Sequence, residues 1–358
     1  MIKVGDGVQN PSDGLRVVMV GPTPPPVGGA TVSFEALYRF LVSRSCNCIV
    51  IDTVRRRGGK VVTALGALWH LIKALRNCDV VTAHFSDQAA VTIAPIMWTI
   101  CRLAGKPFVF RQFGGEFDQT FATLPKWIQF IVARTILRSD AVFLQTKAMM
   151  SAFAPFSSSL HWFPTARINH GSNYRGGFAN GEHTKLRCLF LGHVSKAKGI
   201  LVAAQAVKAV PSVVLDVYGP LVDIKESDFV SECVQYRGIA DPDQVTDILA
   251  RYDVLLFPTS HRGEGYSGTL VEAAMAGLPM IVSRWQSLPE MFADDEAIFI
   301  DSACVDQLVV ALRTIIEHPK DLQSRSRRLI KRSVDFDADI IFGHFLAICF
   351  ELMSQRRA

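Results

Sequence analysis

The sequence predicts an α/β protein made of two Rossmann-like, doubly wound domains. Three observations carry this. Apolar runs of strand length alternate with amphipathic, helix-length segments from Leu15 onward. Near the middle, a Gly-, Asn- and His-rich stretch without periodicity (residues 166–185) interrupts the alternation and reads as a linker. A second strand–loop–helix unit then begins at Leu186. With 358 residues, 49% of them hydrophobic and 20% charged, the chain can fill two cores and has no mark of disorder.

Residues 1–14, MIKVGDGVQNPSDG, are polar and glycine-rich and read as a flexible tail, not a signal peptide. The first domain, 15–165, opens with the apolar strand Leu15–Val20. A proline-stiffened loop follows, then the Gly28–Gly29 pair and a helix from about Thr31. Such a first strand–loop–helix turn binds phosphates in doubly wound folds, but the prolines break the dinucleotide GxGxxG spacing and argue against a dehydrogenase. The alternation continues with strand Cys48–Asp52, helix Ala64–Leu75, strand Val80–Ala83, helix Gln88–Leu103 and strand Phe108–Arg111. Helix Pro125–Leu137, strand Ala141–Leu144 and helix Lys147–Phe153 complete a parallel sheet with crossovers. The longest apolar stretch, Ala89–Cys101, is interrupted by Pro95 and falls short of the ~20 residues a membrane span needs, so it reads as a buried helix.

The second domain, 186–335, starts with strand Leu186–Leu191 and the loop GHVSKAKG. Strands Val213–Tyr218 and Val234–Arg237 follow, each ended by a glycine, Gly219 and Gly238. Asp241-Pro-Asp243 precedes a helix (Val245–Ala250) and reads as an N-cap in place of a metal site. A last apolar helix, Asp337–Met353, lies in the closing segment 336–358.

Eight cysteines are scattered through apolar runs without CxxC or zinc spacing, so reduced core thiols and a cytoplasmic setting are expected. The net charge of +5 is shared unevenly. Met1–Thr165 has 17 basic and 9 acidic residues, the remainder 21 and 24. A basic first half suits an anionic surface or acceptor. The run Arg55–Arg57 with Lys60 reads first as a solvated loop; together with Lys126, Trp127, Arg134 and Arg138 it also suits a basic-aromatic contact with an anionic membrane surface, at the inner face of the membrane.

The chain is organised around Phe257–Pro289, FPTSHRGEGYSGTLVEAAMAGLPMIVSRWQSLP. The strand Val254–Phe257 is ended by Pro258, and Gly263, Gly265 and Gly268 let backbone N–H groups approach a ligand. A helix starting near Thr269 is stopped by Gly277, with Pro279 beyond. Free N–H groups and the helix dipole at that start favour an anion. Glu272 stands about a turn into the helix, where it can accept from a ribose diol, and Glu264 lies on the approach. His84 follows the strand DVVTA at its carboxyl end, where open α/β sheets gather ligands. After the next strand, Arg111, Gly114, Gly115 and Glu116 of FRQFGGEFD suit either an acceptor pocket or a plain glycine loop.

EGYSGTLVEAAMAGLPMIVS resembles the Glu-x7-Glu signature of glycosyltransferase family 4 (glycosyl transferases group 1), retaining enzymes of the GT-B fold. The resemblance covers nearly the whole chain from Leu15 and implies two Rossmann-like domains facing across a cleft, with the C-terminal helix crossing back to brace the first. It implies that Lys198, in Lys198–Gly199, holds the donor pyrophosphate, that Glu264 holds donor-sugar hydroxyls and that His84 faces the donor sugar. Gly28 and Gly29 would face the donor phosphates and the reacting sugar, and Gly219 and Ile239 would belong to the donor site, whose nucleobase is held by the loop after Gly238. Gly265, Tyr266, Ser267, Gly268 and Thr269 form the helix start, and Glu272 fixes the ribose. His193 stands where the family has a second phosphate-binding cation, an arginine. His193 when protonated, or Arg262, are the two substitutes for it.

The expected activity is therefore retaining, metal-independent transfer of a sugar from a UDP- or GDP-sugar to a hydroxyl acceptor, such as a lipid-linked or surface-polysaccharide precursor, with no cofactor. Negative charge develops on the leaving diphosphate, so donors preorganised there are the chemical requirement. A nucleotide-sugar epimerase of GT-B-like fold and a non-catalytic nucleotide-sugar-binding partner of a polysaccharide assembly complex remain the alternatives. No nucleic-acid partner is expected.

Overall fold

The computed structural model describes residues 3–4, 14–26, 28–54, 59–172 and 174–357. The chain divides into two compact units, one of residues 1–166 with 338–358 and one of residues 167–337.

The first unit holds β1 (Lys3–Val4), β2 (Arg16–Gly21), α1 (Gly29–Ser43), β3 (Asn47–Asp52), α2 (Gly59–Ala74), β4 (Val80–Phe85) and α3 (Asp87–Leu103). It continues with β5 (Phe108–Gln112), α4 (Phe117–Thr123), α5 (Lys126–Arg134), β6 (Ala141–Leu144), α6 (Lys147–Phe153) and β7 (Leu160–Trp162). The strand order is β1-β3-β2-β4-β5-β6-β7, parallel except for β1, which pairs antiparallel with β3. Lys3–Val4 thus depart from the expected tail by adding an edge to the sheet, while residues 1–2 and 5–13 lie outside the described residues. The central strands β4, β5 and β6 are buried at every position, as continuous apolar runs in a sheet covered on both faces must be.

One face of this sheet packs against α2 to α6, the other against α1 and a last helix. That last helix, α13 (Ala338–Arg357), is long and apolar enough to cross a membrane by length and composition. Here it packs into the first unit instead. Phe345 lies 4.9 Å from Phe143 between ring centroids, and Phe342 5.5 Å from Phe40. Each fully buried side chain of this size contributes about 1.5–3 kcal/mol.

The expected helix over Pro125–Leu137 is divided. Thr135 leaves helical geometry (φ −119°, ψ −92°), and a short 3-10 turn follows at Ile136–Arg138.

The second unit holds β8 (Leu186–Leu191), α7 (Ile200–Lys208), β9 (Val213–Tyr218), β10 (Val234–Tyr236), α8 (Val245–Leu249) and β11 (Val254–Phe257). Then come α9 (Gly268–Ala276), β12 (Met280–Ser283), α10 (Leu288–Met291), β13 (Ile298–Ile300), α11 (Val305–Glu317) and α12 (Lys320–Ser333). Its sheet runs β10-β9-β8-β11-β12-β13, parallel throughout. In each unit the strand order reverses once, between β2 and β4 and between β8 and β11. Such switch points open a crevice at the carboxyl ends of the strands.

Candidate functional site

In the second unit the loops after β8 and β11 meet at the switch point. Ser260 N–H donates to the Ala197 carbonyl at 2.8 Å, which fastens one loop to the other. Gly199 adopts φ +84°, and a Cβ there would run into the Pro258 carbonyl, so only glycine lets the loops approach this closely. The contact places Lys198 beside Glu264. Lys198 Nζ donates to Glu264 Oε2 at 2.6 Å, and Thr259 Oγ1 donates to the same oxygen at 3.1 Å. Glu264 is only 6% exposed, so this carboxylate depends on those two donors.

α9 begins behind Glu264. Its N-cap Ser267 is extended and makes no side-chain cap, so the first-turn N–H groups of Gly268, Thr269 and Leu270 have no intrahelical acceptor. The helix stops at Gly277, left-handed at φ +76°, whose N–H returns to the carbonyls of Ala273 and Ala274. Leu270, Val271, Ala273 and Ala274 are buried, which turns Glu272 to the other side. There Glu272 Oε1 accepts from Arg167 Nε at 2.6 Å. The Arg167 guanidinium fills the space a Cβ on Gly268 would take, so it lies against the positive end of α9. A cation beside unpaired N–H groups makes this end of the helix a place for an anion.

The other expected second-unit residues surround these loops. His193 and Arg262 are both exposed. Gly219, after β9, packs so closely on the Gly192 carbonyl that no side chain fits. Its N–H donates to the Gly238 carbonyl at 2.8 Å, and Ile239, just beyond, is 72% exposed. Tyr266 is buried and its hydroxyl donates to Glu290 at 3.0 Å, while Gly265, Ser267 and Thr269 are half-buried.

In the first unit, Gly28 N–H donates to Thr31 Oγ1 at 2.9 Å at the start of α1. A Cβ on Gly28 or Gly29 would meet nothing within 4 Å, so this turn is open on its outer side. His84 is wholly buried. Its Nε2 lies 3.0 Å from Thr82 Oγ1, its Nδ1 has no hydrogen-bond partner among the described residues, and its ring packs edge-on against Phe34. Burial, and then the charge of Arg111, hold its pKa well below the usual histidine value.

Arg111 departs from the acceptor-pocket expectation: its guanidinium points into the core, not along the loop. Nη2 donates to Ser33 Oγ at 2.6 Å, and the group stacks over Phe163 at 3.9 Å and Phe113 at 4.6 Å. Burial pushes its pKa down to about 9. Glu116 and Gly114 are half-buried on the loop, and Gly115 is buried. The run Arg55–Arg57 lies outside the described residues.

A cavity of about 560 Å³ opens at the carboxyl end of this sheet. Pro22, Ala30, Lys60, His84, Gln88 and Phe113 are among its lining residues, and its walls are mostly apolar. Among the described residues no group of three or more His, Cys, Asp or Glu is placed to hold a metal ion.

Sequence reasoning missed Arg167 and Thr259. Arg167 lies in the aperiodic stretch, and nothing in its surroundings points to a partner 105 positions away. Thr259 follows the strand-ending Pro258, the one signal that could have marked it.

Residues 185–318 match the model of the family Glycosyl transferases group 1. An uncharacterized 41.2 kDa protein in the cps region of Klebsiella pneumoniae is 30% identical over 115 residues, 32% of this chain and 32% of its own length. The MMP alpha-(1->4)-mannosyltransferase of Mycolicibacterium hassiacum is 28% identical over 108 residues, 30% of this chain and 26% of its own. The chain therefore spans about a third or less of the length of the curated relatives it matches. Among solved structures, Anabaena Alr3699/HepE in complex with UDP and glucose superposes with a TM-score of 0.68 at 13% identity, over 93% of this chain and 98% of that one. This shared architecture is the GT-B α/β fold.

Proposed function

We propose, from the premise that the chain carries a Glycosyl transferases group 1 domain on the GT-B fold, that it transfers a sugar from a nucleotide-diphosphate sugar to a hydroxyl acceptor with retention of configuration. The observation that carries this reading is the Lys198–Glu264 pair, held at 2.6 Å beside the uncapped start of α9 at a topological switch point. The neighbour with bound UDP and glucose supports a UDP-sugar as donor.

In this mechanism the diphosphate lies against the N–H groups of Gly268, Thr269 and Leu270, with Lys198 and Arg167 alongside. Charge grows on the departing oxygen as the anomeric C–O bond breaks, and fixed donors stabilise it without a metal. Glu264 keeps Lys198 oriented and offers its second oxygen to sugar hydroxyls. Glu272 receives the ribose. The acceptor hydroxyl attacks from the face the diphosphate leaves, and the departing phosphate oxygen takes its proton. The apolar cavity of the first unit supports an acceptor with an apolar portion, as in a lipid-linked precursor of a surface polysaccharide.

Incubating the protein with UDP- and GDP-sugars, with and without polyprenyl-diphosphate-linked sugars as hydroxyl acceptors, tests the reading. Donor-dependent transfer or slow hydrolysis, lost in Lys198→Met, is the expected result. Exposed His193, at the position where the family places arginine, favours a second reading in which the chain binds the nucleotide-sugar without turnover. Donor binding with no product across the same acceptors would select it.

A further inference from the structure

On the first unit, α3 lies between α2 and α5 and touches both, so the three make one helical layer. Their inner faces are ordinary core, with Ala67, Leu71 and Val132 buried. The outer faces of α2 and α5 are also apolar, whereas α3 exposes Gln88, Thr92, Thr99 and Arg102 beside Ile96 and Leu103. Val62, Leu65 and Trp69 of α2 are 58%, 61% and 58% exposed, Leu103 of α3 84%, and Trp127 and Phe130 of α5 66% and 61%. The spacings 62, 65, 69 and 127, 130 place each set on one side of its helix. A row of large apolar side chains in water marks an interaction surface.

We infer that this layer docks on an anionic lipid bilayer. The charges select that occupant. α2 and α5 carry no carboxylate, and their cations Lys60, Lys73, Lys126 and Arg134 are all exposed around the apolar row. Lys73 Nζ stands 4.6 Å from the centroid of the Trp69 ring, and the Arg134 guanidinium 5.1 Å from that of Phe130. Each pair presents an apolar body beside a charged head, the arrangement that seats side chains between acyl chains and anionic headgroups. A second copy laid on the same surface would set these cations against one another. Lys60 and Val61 of α2 also line the apolar cavity, so docking brings the cavity's rim to the headgroup layer. Its use by an acceptor rests on the function proposed above, but the docking does not.

Co-sedimentation of the full chain tests this without donor or acceptor, so its failure is separate from failure of the transfer reaction. Vesicles of equal parts phosphatidylcholine and phosphatidylglycerol are expected to bind the protein at low salt. Vesicles of phosphatidylcholine alone should bind it at least several-fold more weakly, and added salt should weaken the anionic case. Trp69→Ser with Trp127→Ser should lower binding about tenfold or more at an unchanged unfolding midpoint. Lys73→Glu with Lys126→Glu should do the same if the first pair fails to fold, and Val310→Ser in the second unit should change nothing. No association of the wild type at low salt overturns the inference, as does equal binding by the folded variants. A dimer made monomeric by the tryptophan substitutions, with no vesicle binding, would give the face to a second copy.

Discussion

Arg167 Nε donates to Glu272 Oε1 at 2.6 Å, and the same guanidinium closes over Gly268 at the head of α9. The carboxylate expected to meet a ribose is thus already held by a cation at the edge of the anion site. Both side chains are partly exposed, at 20% and 30%, so water screens the pair. Denaturant unfolding of Arg167→Met, Glu272→Gln and the double variant should give a coupling energy of about 1 kcal/mol. Nucleotide binding should fall in Arg167→Met by more than that loss of stability explains. Unchanged nucleotide affinity would remove Arg167 from the site.

Lys198 and Glu264 form the more buried pair. In Lys198→Met, Glu264 keeps, among the described residues, only the Thr259 hydroxyl as a donor, and stability should drop by about 1.5–3 kcal/mol. Turnover should fall by about 10²–10³-fold, the loss typical of removing one donor from a developing oxyanion. Steady-state rates with a UDP-sugar, read beside thermal unfolding, separate the two effects.

Two glycine turns should respond differently to alanine. Gly199→Ala puts a Cβ on a left-handed residue and into the Pro258 carbonyl, so a loss of about 1–3 kcal/mol or more is expected. Gly28→Ala meets open space from an extended backbone and should fold with its stability changed by less than about 0.5 kcal/mol. Any loss of activity in it would then report on what approaches that turn from outside. Unfolding midpoints of the two variants check the contrast.

Thiol reactivity should follow burial. Cys46 is pushed up to about 11, and Cys48 and Cys101 to about 12, because burial penalises the thiolate. Cys78, Cys188 and Cys349 are also buried, whereas Cys233 and Cys304 are half-exposed. A disulfide reagent near pH 8 should therefore modify the last two first and the other six only on unfolding.

The buried His84 should link stability to pH. Its folded value is lowered by burial and by Arg111, so below the ordinary histidine value the unfolded chain binds a proton that the folded chain refuses. Stability from this group is complete above that value and is lost as pH falls toward the lowered one. His84→Leu should flatten that part of the stability–pH curve, as urea unfolding between pH 5 and 8 would reveal.

Elements whose local signals agree with their packing were legible in the sequence. Strands Ala141–Leu144, Leu186–Leu191, Val213–Tyr218 and Val254–Phe257 have the expected bounds because each is a largely apolar run that ends at a polar residue, glycine or proline. The Lys198 loop and the Glu264 loop were each visible as glycine-punctuated ends of strands. Their direct contact was not, because it depends on β8 and β11 being neighbours, a tertiary fact. α4 escaped because it is only seven residues long and follows the Gly114–Gly115 turn, which reads as plain loop. The inward course of Arg111 was equally hidden. A cation at the end of a strand looks like a ligand residue until Phe113 and Phe163 are seen to enclose it.

The central claim is that the loops after β8 and β11 grip the diphosphate of a sugar nucleotide. Calorimetric titration of UDP and GDP into the wild type and Lys198→Met tests it most directly. The account predicts binding of at least one of the two by the wild type, weakened about tenfold or more in a variant that still folds, for the loss of one charge-assisted hydrogen bond. Equal affinity in both proteins, or binding by neither, would contradict it.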